Sequence, residues 1–373
     1  MLIGLVGYEA NIKNRVGSNQ YAFELMKAIY QMDKKNDYLV YLPSSPLPDL
    51  PKERNGWHYR VIGPSRLWNI FGLPRALFLE NPKPAVIFNP GHYSPLFFSV
   101  PLVISIMDLG YLRFPEQFTK RDLYQLTSWT ASSIKKADHL FAISESTKND
   151  IIERYQVTES KITVTYPGYD DKNFQFPISN FQINKIKKKY KIPGDYLLFL
   201  STLKPGKNIE GLIEAFKLTI SHQPSAMKLV IAGKKGWLYQ TIFDRVKEWG
   251  LTKRVIFTGF VDEEDVPALM AGAEIFILPS FWEGFGIPVV EAMACGVPVV
   301  VSKAGSLPEV VGEAGVMVDP YQPEDIARGI KEAIDNRDEL VKKGLEQVKK
   351  FSWEKCAQET LRVLEKLGQN ENI

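Results

Sequence analysis

Short apolar runs of strand length alternate along the chain with stretches whose apolar residues recur at helical spacing. The runs at 2–6, 38–42, 58–62, 85–88, 102–106, 139–143 and 162–165 predict one series of strands. Tyr21, Leu25, Ala28, Ile29 and Met32 predict a helix after the first strand, and 121–137 and 146–155 predict two more. A second series of strands is predicted at 196–200, 228–231, 255–258, 275–278 and 297–301, followed by helices at 323–336, 338–351 and 353–367. Regular alternation of this kind favours parallel sheets with helices on both faces. Residues 167–177 hold few apolar positions and read as a linker. The expected organisation is therefore an α/β domain at 1–170, a second at 178–351 and a last helix at 352–373.

Composition changes this picture little. The 373 residues suit two cores better than one. A net charge of +3 is too small to imply nucleic acid. Two cysteines, Cys295 and Cys356, demand no disulfide framework and suit a reducing compartment. The first residues read as a buried strand rather than a leader. The most apolar region, 95–112, is interrupted by Ser99, Pro101, Ser105 and Asp108 and does not read as a membrane span. These features lead to the expectation of a cytoplasmic protein. The basic run 185–189 is ordinarily a solvated face, but it also admits peripheral contact with the anionic inner face of a membrane.

The most informative stretch is 275–302, which reads as strand, glycine turn, short helix, strand. Gly284 and Gly286 flank Phe285, and Pro288 suits the first turn of a helix opening near Ile287. The free amides and positive dipole end of that helix make the turn a natural anion site. Glu283 precedes the turn and Glu291 follows eight residues later. An acid beside a phosphate pocket is better suited to sugar hydroxyls than to phosphate. Either acid alone is explained by the helix dipole; the combination is not.

The run EGFGIPVVEAMACGVPVV resembles the C-terminal signature of glycosyltransferase family 4, retaining enzymes that use nucleotide sugars. The resemblance implies the GT-B architecture, two Rossmann-like parallel-sheet domains facing a cleft, with a last helix crossing back to the first. It implies that Glu291 holds the donor ribose, that Glu283 lies by the transferred sugar, and that amides of Gly284, Phe285, Gly286 and Ile287 cover the sugar and diphosphate. STLKPGKNIEGLIEAF resembles the family segment whose basic pair neutralises the diphosphate. Lys207 matches; Gly206 stands where arginine is common, with Lys204 as a substitute. Backbone near Phe260 and Val261 is expected in the base pocket. Gly17, in the loop after the first strand, fits a family glycine beside donor diphosphate and acceptor, although a plain helix-entry turn explains it equally well.

VISIMDLGYLRFPE resembles a motif that usually reads His-Asp-Leu, so Asp108 is expected on the acceptor and sugar side while Met107 replaces the histidine. An apolar Met107 there suggests a donor lacking the C6 hydroxyl; Met107 packing away from the sugar is the alternative. Asp108, Lys207 and Glu283 are the expected catalytic residues. His58, His92, His139 and His222 fall outside the matched motifs and read as structural or surface residues. No metal motif is apparent and no cofactor is expected beyond the nucleotide-diphosphate sugar donor. The acceptor would be a glycan, a lipid-linked chain or a small molecule. A catalytically silent binding subunit and a nucleotide-sugar epimerase are the competing readings.

Overall fold

The computed structural model describes residues 1–63, 67–95, 97–222 and 226–369. The chain forms two compact units. One comprises Met1–Gly168 together with the chain from Ser352 onward, the other Tyr169–Phe351.

The first unit is built on β1 (Leu2–Val6), β2 (Asp37–Leu42), β3 (Trp57–Val61), β4 (Val86–Asn89), β5 (Leu102–Ile106), β6 (His139–Ala142) and β7 (Ile162–Val164). They lie parallel in the order β3-β2-β1-β4-β5-β6-β7. β4, β5 and β6 are buried along their whole length, as strands covered on both faces must be, which explains their unbroken apolar runs. Val6, Ile87, Ile104, Ile106 and Leu140 meet Trp68, Leu73 and Leu77 in one core.

Helix Trp353–Gly368 belongs to this unit. Ser352 caps it by accepting from Lys355 N–H, and Trp353 packs on Tyr21 of helix Ser18–Met32 with ring centroids 5.8 Å apart. Its Glu365 accepts from Asn36 Nδ2 at 2.9 Å.

The second unit holds β8 (Tyr196–Leu200), β9 (Lys228–Ala232), β10 (Val255–Gly259), β11 (Ile275–Leu278), β12 (Val299–Ser302) and β13 (Gly315–Val318). Their order is β10-β9-β8-β11-β12-β13, again parallel. Counted from each unit's first strand, both sheets run 3-2-1-4-5-6, and the first unit adds a seventh strand at its edge. The direction in which successive strands are added therefore reverses between β1 and β4 in one sheet, and between β8 and β11 in the other. Such a reversal splays the following loops apart and leaves a crevice at the carboxyl ends of the strands.

Several elements escaped the pattern reading, among them helices Gln240–Glu248 and Leu307–Val311. A π-helical turn, Trp68–Gly72, runs into helix Leu73–Leu79. Its apolar residues surround the axis, so no amphipathic period marks it. Strand β13 alternates buried and half-buried positions over only four residues, too short to stand out. Among the described residues no helix is long and apolar enough to cross a membrane.

Candidate active site

The reversal point of the second sheet brings together the loops after β8 and β11. Lys207 Nζ lies 2.5 Å from Glu283 Oε1, and the two side chains are only 13% and 11% exposed. Ser280 Oγ donates to the same carboxylate oxygen at 2.5 Å. Asn208, held in the left-handed region at φ 51°, ties these loops to a third: its Nδ2 donates to the carbonyls of Pro279 (3.2 Å) and Pro320 (2.6 Å). Phe281 N–H donates to Gly206 C=O at 3.0 Å. The lysine and the acid are thus set by backbone locks on both sides, with little freedom to drift apart.

Helix Ile287–Ala294 starts directly after this pair. Gly286 forms its cap at φ 93°, where a side chain is strained, and a Cβ there would also strike Leu307 Cδ2 at 2.7 Å. No side chain caps the helix and no acid stands in its first turn, so its amides remain the electropositive feature of the turn. Phe285 is buried, with its ring edge-on to Phe351 at 5.3 Å. It anchors the turn from below, and only its backbone is on offer to a ligand. Glu291 is half-buried one turn into the helix, and its charge helps to raise the neighbouring Cys295 thiol, which burial raises most.

A second cation stands on the β8 loop. Leu203 N–H donates to Lys234 C=O at 2.9 Å, and Gly236 N–H donates back to Leu203 C=O at 2.9 Å, zipping the β8 and β9 loops together. Trp237 is thereby placed under Lys204, whose Nζ sits 4.9 Å from the indole centroid. Phe260 is exposed at the end of β10, next to buried Val261. Asp262 and Asp265, beyond it, are held by Lys189.

The reversal point of the first sheet is different. Glu9, after β1, accepts from Asn19 Nδ2 and packs against Gly91 in the loop after β4, where a Cβ would lie 3.3 Å from Glu9 Cγ. Burial raises the Glu9 carboxyl above the usual range, against the hydrogen bonds from Asn19 and Ser18. Gly17 caps helix Ser18–Met32 at φ 56° and ψ −121°, a conformation that excludes most other residues, with open space around it.

His92 Nε2 accepts from Met107 N–H at 2.8 Å, which places the ring proton on Nδ1. Burial pushes this imidazole below its usual value, although Asp108 pulls the other way. Asp108 Oδ1 accepts from Gly110 N–H at 2.8 Å. The Met107 side chain is 8% exposed and packs in the core.

Two family profiles divide the chain between them: "Glycosyltransferase Family 4" matches residues 17–173 and "Glycosyl transferases group 1" matches 182–352. O-antigen chain mannosyltransferase B of Escherichia coli is 30% identical over 307 residues, covering 81% of this chain and 78% of that protein. The chain belongs to glycosyltransferase family 4.

Serotype-specific mannosyltransferase WbdA of Escherichia coli is 32% identical over 231 residues, 61% of this chain but only 28% of that longer protein. The crystal structure of Anabaena Alr3699/HepE in complex with UDP-glucose matches with TM-score 0.76 at 20% identity, over 98% of this chain and 99% of that one. The fold is GT-B, and the protein is a glycosyltransferase.

Of the residues expected from family 4 motifs, Lys207, Glu283, Gly284, Phe285, Gly286, Ile287 and Glu291 belong to the loops and helix at one reversal point, while Phe260 and Val261 follow β10, two strands from β8. Gly17, Met107 and Asp108 belong to the other unit. The histidines do not share one role. His139 is buried on β6 beside Thr163 Oγ1 at 2.9 Å, and burial lowers it to about 4. His58 is exposed. The side chain of His222 lies outside the described residues. His92 stands in the loop after β4 and accepts from Met107 N–H, a structural role. Glu9, in the loop after β1, was not singled out from the sequence. Neither carries a local motif: each becomes notable only because β1 and β4 are neighbours.

Proposed function

We propose that this glycosyltransferase moves a hexosyl group, mannose foremost, from a nucleoside diphosphate to a hydroxyl of a growing glycan, with retention at the anomeric carbon. The observation that carries the reading is the Lys207–Glu283 pair at the reversal point of the second sheet, immediately before an uncapped helix N-terminus. A diphosphate fits there by charge, since Lys207 and the N-terminal end of the helix that opens at Ile287 both offer positive potential to it. Glu291 is placed to accept from ribose hydroxyls, and Glu283 from hydroxyls of the sugar. Lys204, steadied on Trp237, supplies a cation where Gly206 has none. In the transfer, the bond from C1 to the diphosphate oxygen breaks while the acceptor oxygen bonds to C1 on the same face. The departing diphosphate takes the acceptor proton. Lys207 matters most at that moment, as negative charge grows on the leaving group.

Mannose is favoured by the two mannosyltransferases the chain resembles, one of them acting on O-antigen chains by its name. The burial of Met107 favours the alternative in which it packs away from the sugar. With lysines and helix amides facing the diphosphate, metal ions are dispensable in this scheme. Two free, buried thiols suit a reducing, cytoplasmic setting.

A direct test incubates the protein with nucleoside diphosphates of mannose, glucose and 6-deoxymannose and a glycan acceptor, with and without chelator. Anomeric configuration is read by NMR. Transfer of mannose with retention, unaffected by chelator, is expected. Inversion or strict dependence on a divalent ion would overturn the scheme. Nucleotide-sugar binding with no transfer to any acceptor would favour a silent subunit, and conversion of the donor without acceptor would favour an epimerase.

A further inference from the structure

The loop after β4 is fixed side chain by side chain. Asn89 Oδ1 accepts from Gly91 N–H at 3.1 Å, and Asn89 Nδ2 donates to Tyr93 C=O. His92 Nε2 holds Met107 N–H, and Ser94 N–H donates at 2.8 Å to Ser133 Oγ on helix Lys120–Lys136. Ser133 Oγ in turn donates to Trp129 C=O at 2.8 Å. These bonds set Tyr93 against Trp129, with ring centroids 5.5 Å apart and planes at 79°. Tyr93 is half-buried, whereas Trp129 remains 41% exposed. The loop thus holds an indole at the surface instead of in the core.

The groups around this pair are partners for hydroxyls. Burial raises the Tyr93 phenol, a hydrogen bond with Gln125 opposes this, and the charges of Glu9 and Asp122 add to it; all three side chains lie close to its hydroxyl. Asp122 and Gln125 precede Trp129 by seven and four residues and so share its face of the helix. On the other side Glu9, bonded to Asn19, abuts the same loop at Gly91. The surface therefore runs from Glu9 past Tyr93 to Trp129, with acids and neutral amides around aromatic rings. A pyranose has an apolar face of C–H groups, which an indole covers, and a rim of hydroxyls, to which carboxylates and amides bond. An anionic ligand would meet two acids here, and a wholly apolar one would leave the acids and amides unpaired.

We propose that Trp129, seated on Tyr93 and flanked by Gln125 and Asp122, is an outer subsite that stacks a sugar of the acceptor chain behind the residue being glycosylated. The inference rests on the reading of the acceptor as a growing glycan, with its terminal residue at Glu9, and narrows that acceptor to an oligosaccharide. A single sugar at Glu9 leaves the indole uncovered. A chain that continues past Tyr93 covers it.

Calorimetry on the full chain without donor tests the subsite apart from transfer, using methyl α-mannoside, an α-linked mannotriose and maltotriose. At least one trisaccharide should bind about tenfold or more tighter than the monosaccharide, the scale of covering one large aromatic ring. Trp129→Ala should remove that advantage and Trp129→Phe should keep part of it. Gln125→Ala should weaken the trisaccharide by about fivefold. Tyr124→Ala, an exposed aromatic on another face of the same helix, should change nothing. Tm and the thermal shift given by nucleotide sugar should match wild type in all four variants. In transfer assays, the lead of the trisaccharide in kcat/KM should shrink in Trp129→Ala through KM rather than kcat. Equal wild-type affinity for the monosaccharide and both trisaccharides would overturn the proposal, as would a trisaccharide advantage that survives Trp129→Ala. Trisaccharide binding that depends on Trp129, with no transfer to any acceptor, would support the subsite and refute the transferase reading on which the function rests.

Discussion

The two units repeat one strand order yet furnish their reversal points with opposite chemistry. Between β8 and β11 stands an ion pair, Lys207 with Glu283, followed by a bare helix N-terminus. Between β1 and β4 stands Glu9, held by the neutral amide of Asn19 beside Gly91, with His92 in the same loop. The first arrangement offers a lysine and a helix N-terminus; the second offers a buried carboxyl and a neutral imidazole. One topology supplies two crevices, and the side chains after two strands in each decide the ligand. Glu9 rises above the usual carboxylate range because burial outweighs the hydrogen bonds from Asn19 and Ser18.

The comparison breaks first at Lys207. Lys207→Ala should cut kcat by about 10²–10³-fold with a smaller change in donor KM, since the charge it meets is greatest in the transition state. An unchanged kcat would move the diphosphate away from this reversal point. Glu291→Ala comes next. Loss of charged hydrogen bonds to ribose should weaken nucleotide-sugar binding by ~1.5–3 kcal/mol, read by calorimetry. Equal affinity in the variant would remove Glu291 from the donor site.

On the other side, Glu9→Gln should raise acceptor KM by about tenfold, the worth of one hydrogen bond, and leave nucleotide-sugar affinity as it was. A change in donor affinity instead would assign Glu9 to the donor rather than the acceptor. A smaller effect belongs to the support of Lys204. Trp237→Leu should lower kcat by about fivefold and Trp237→Phe by less, because a cation over an aromatic face contributes ~0.5–2 kcal/mol. Equal losses in both variants would make Trp237 a packing residue only.

The smallest effect lies outside both crevices, at Asp265. Burial raises its carboxyl, but hydrogen bonds from Lys189 and Tyr190 outweigh this and hold it below the usual range. A carboxyl lowered by folding adds stability above its unfolded value, and that stability is lost as pH falls through the folded value. Asp265→Asn should therefore lower Tm slightly at neutral pH, and the gap to wild type should close on acidification below about pH 4. A gap independent of pH would assign the loss to packing.

Much of the second crevice was legible from the chain because its parts are local. Glu283, the glycines, Pro288 and Glu291 fall within one strand–turn–helix unit: backbone need explains the positive φ at Gly286 and the first-turn proline, with Glu283 before the cap and Glu291 one helical turn beyond it. Lys207 was legible from its own strand–helix turn. Its contact with Glu283 was not, since 76 residues separate them and only the pairing of β8 with β11 joins them. The helix Leu73–Leu79 left no trace in the pattern for another reason: its seven residues include exposed Phe78 and Leu79 as well as buried Leu73 and Leu77, and Arg75 alone marks no polar face.

Local spacing thus determined the strands, most helices, the two sheets and the anion-binding turn, because backbone geometry and side-chain period act between near neighbours. Tertiary structure alone decided that Met107 is buried, that His92 receives its N–H, that Glu9 faces Asn19 and Gly91, and that Trp237 lies under Lys204. Those outcomes depend on which strands become neighbours and how far their loops close on each other, and no stretch of chain short enough to carry a period contains that information.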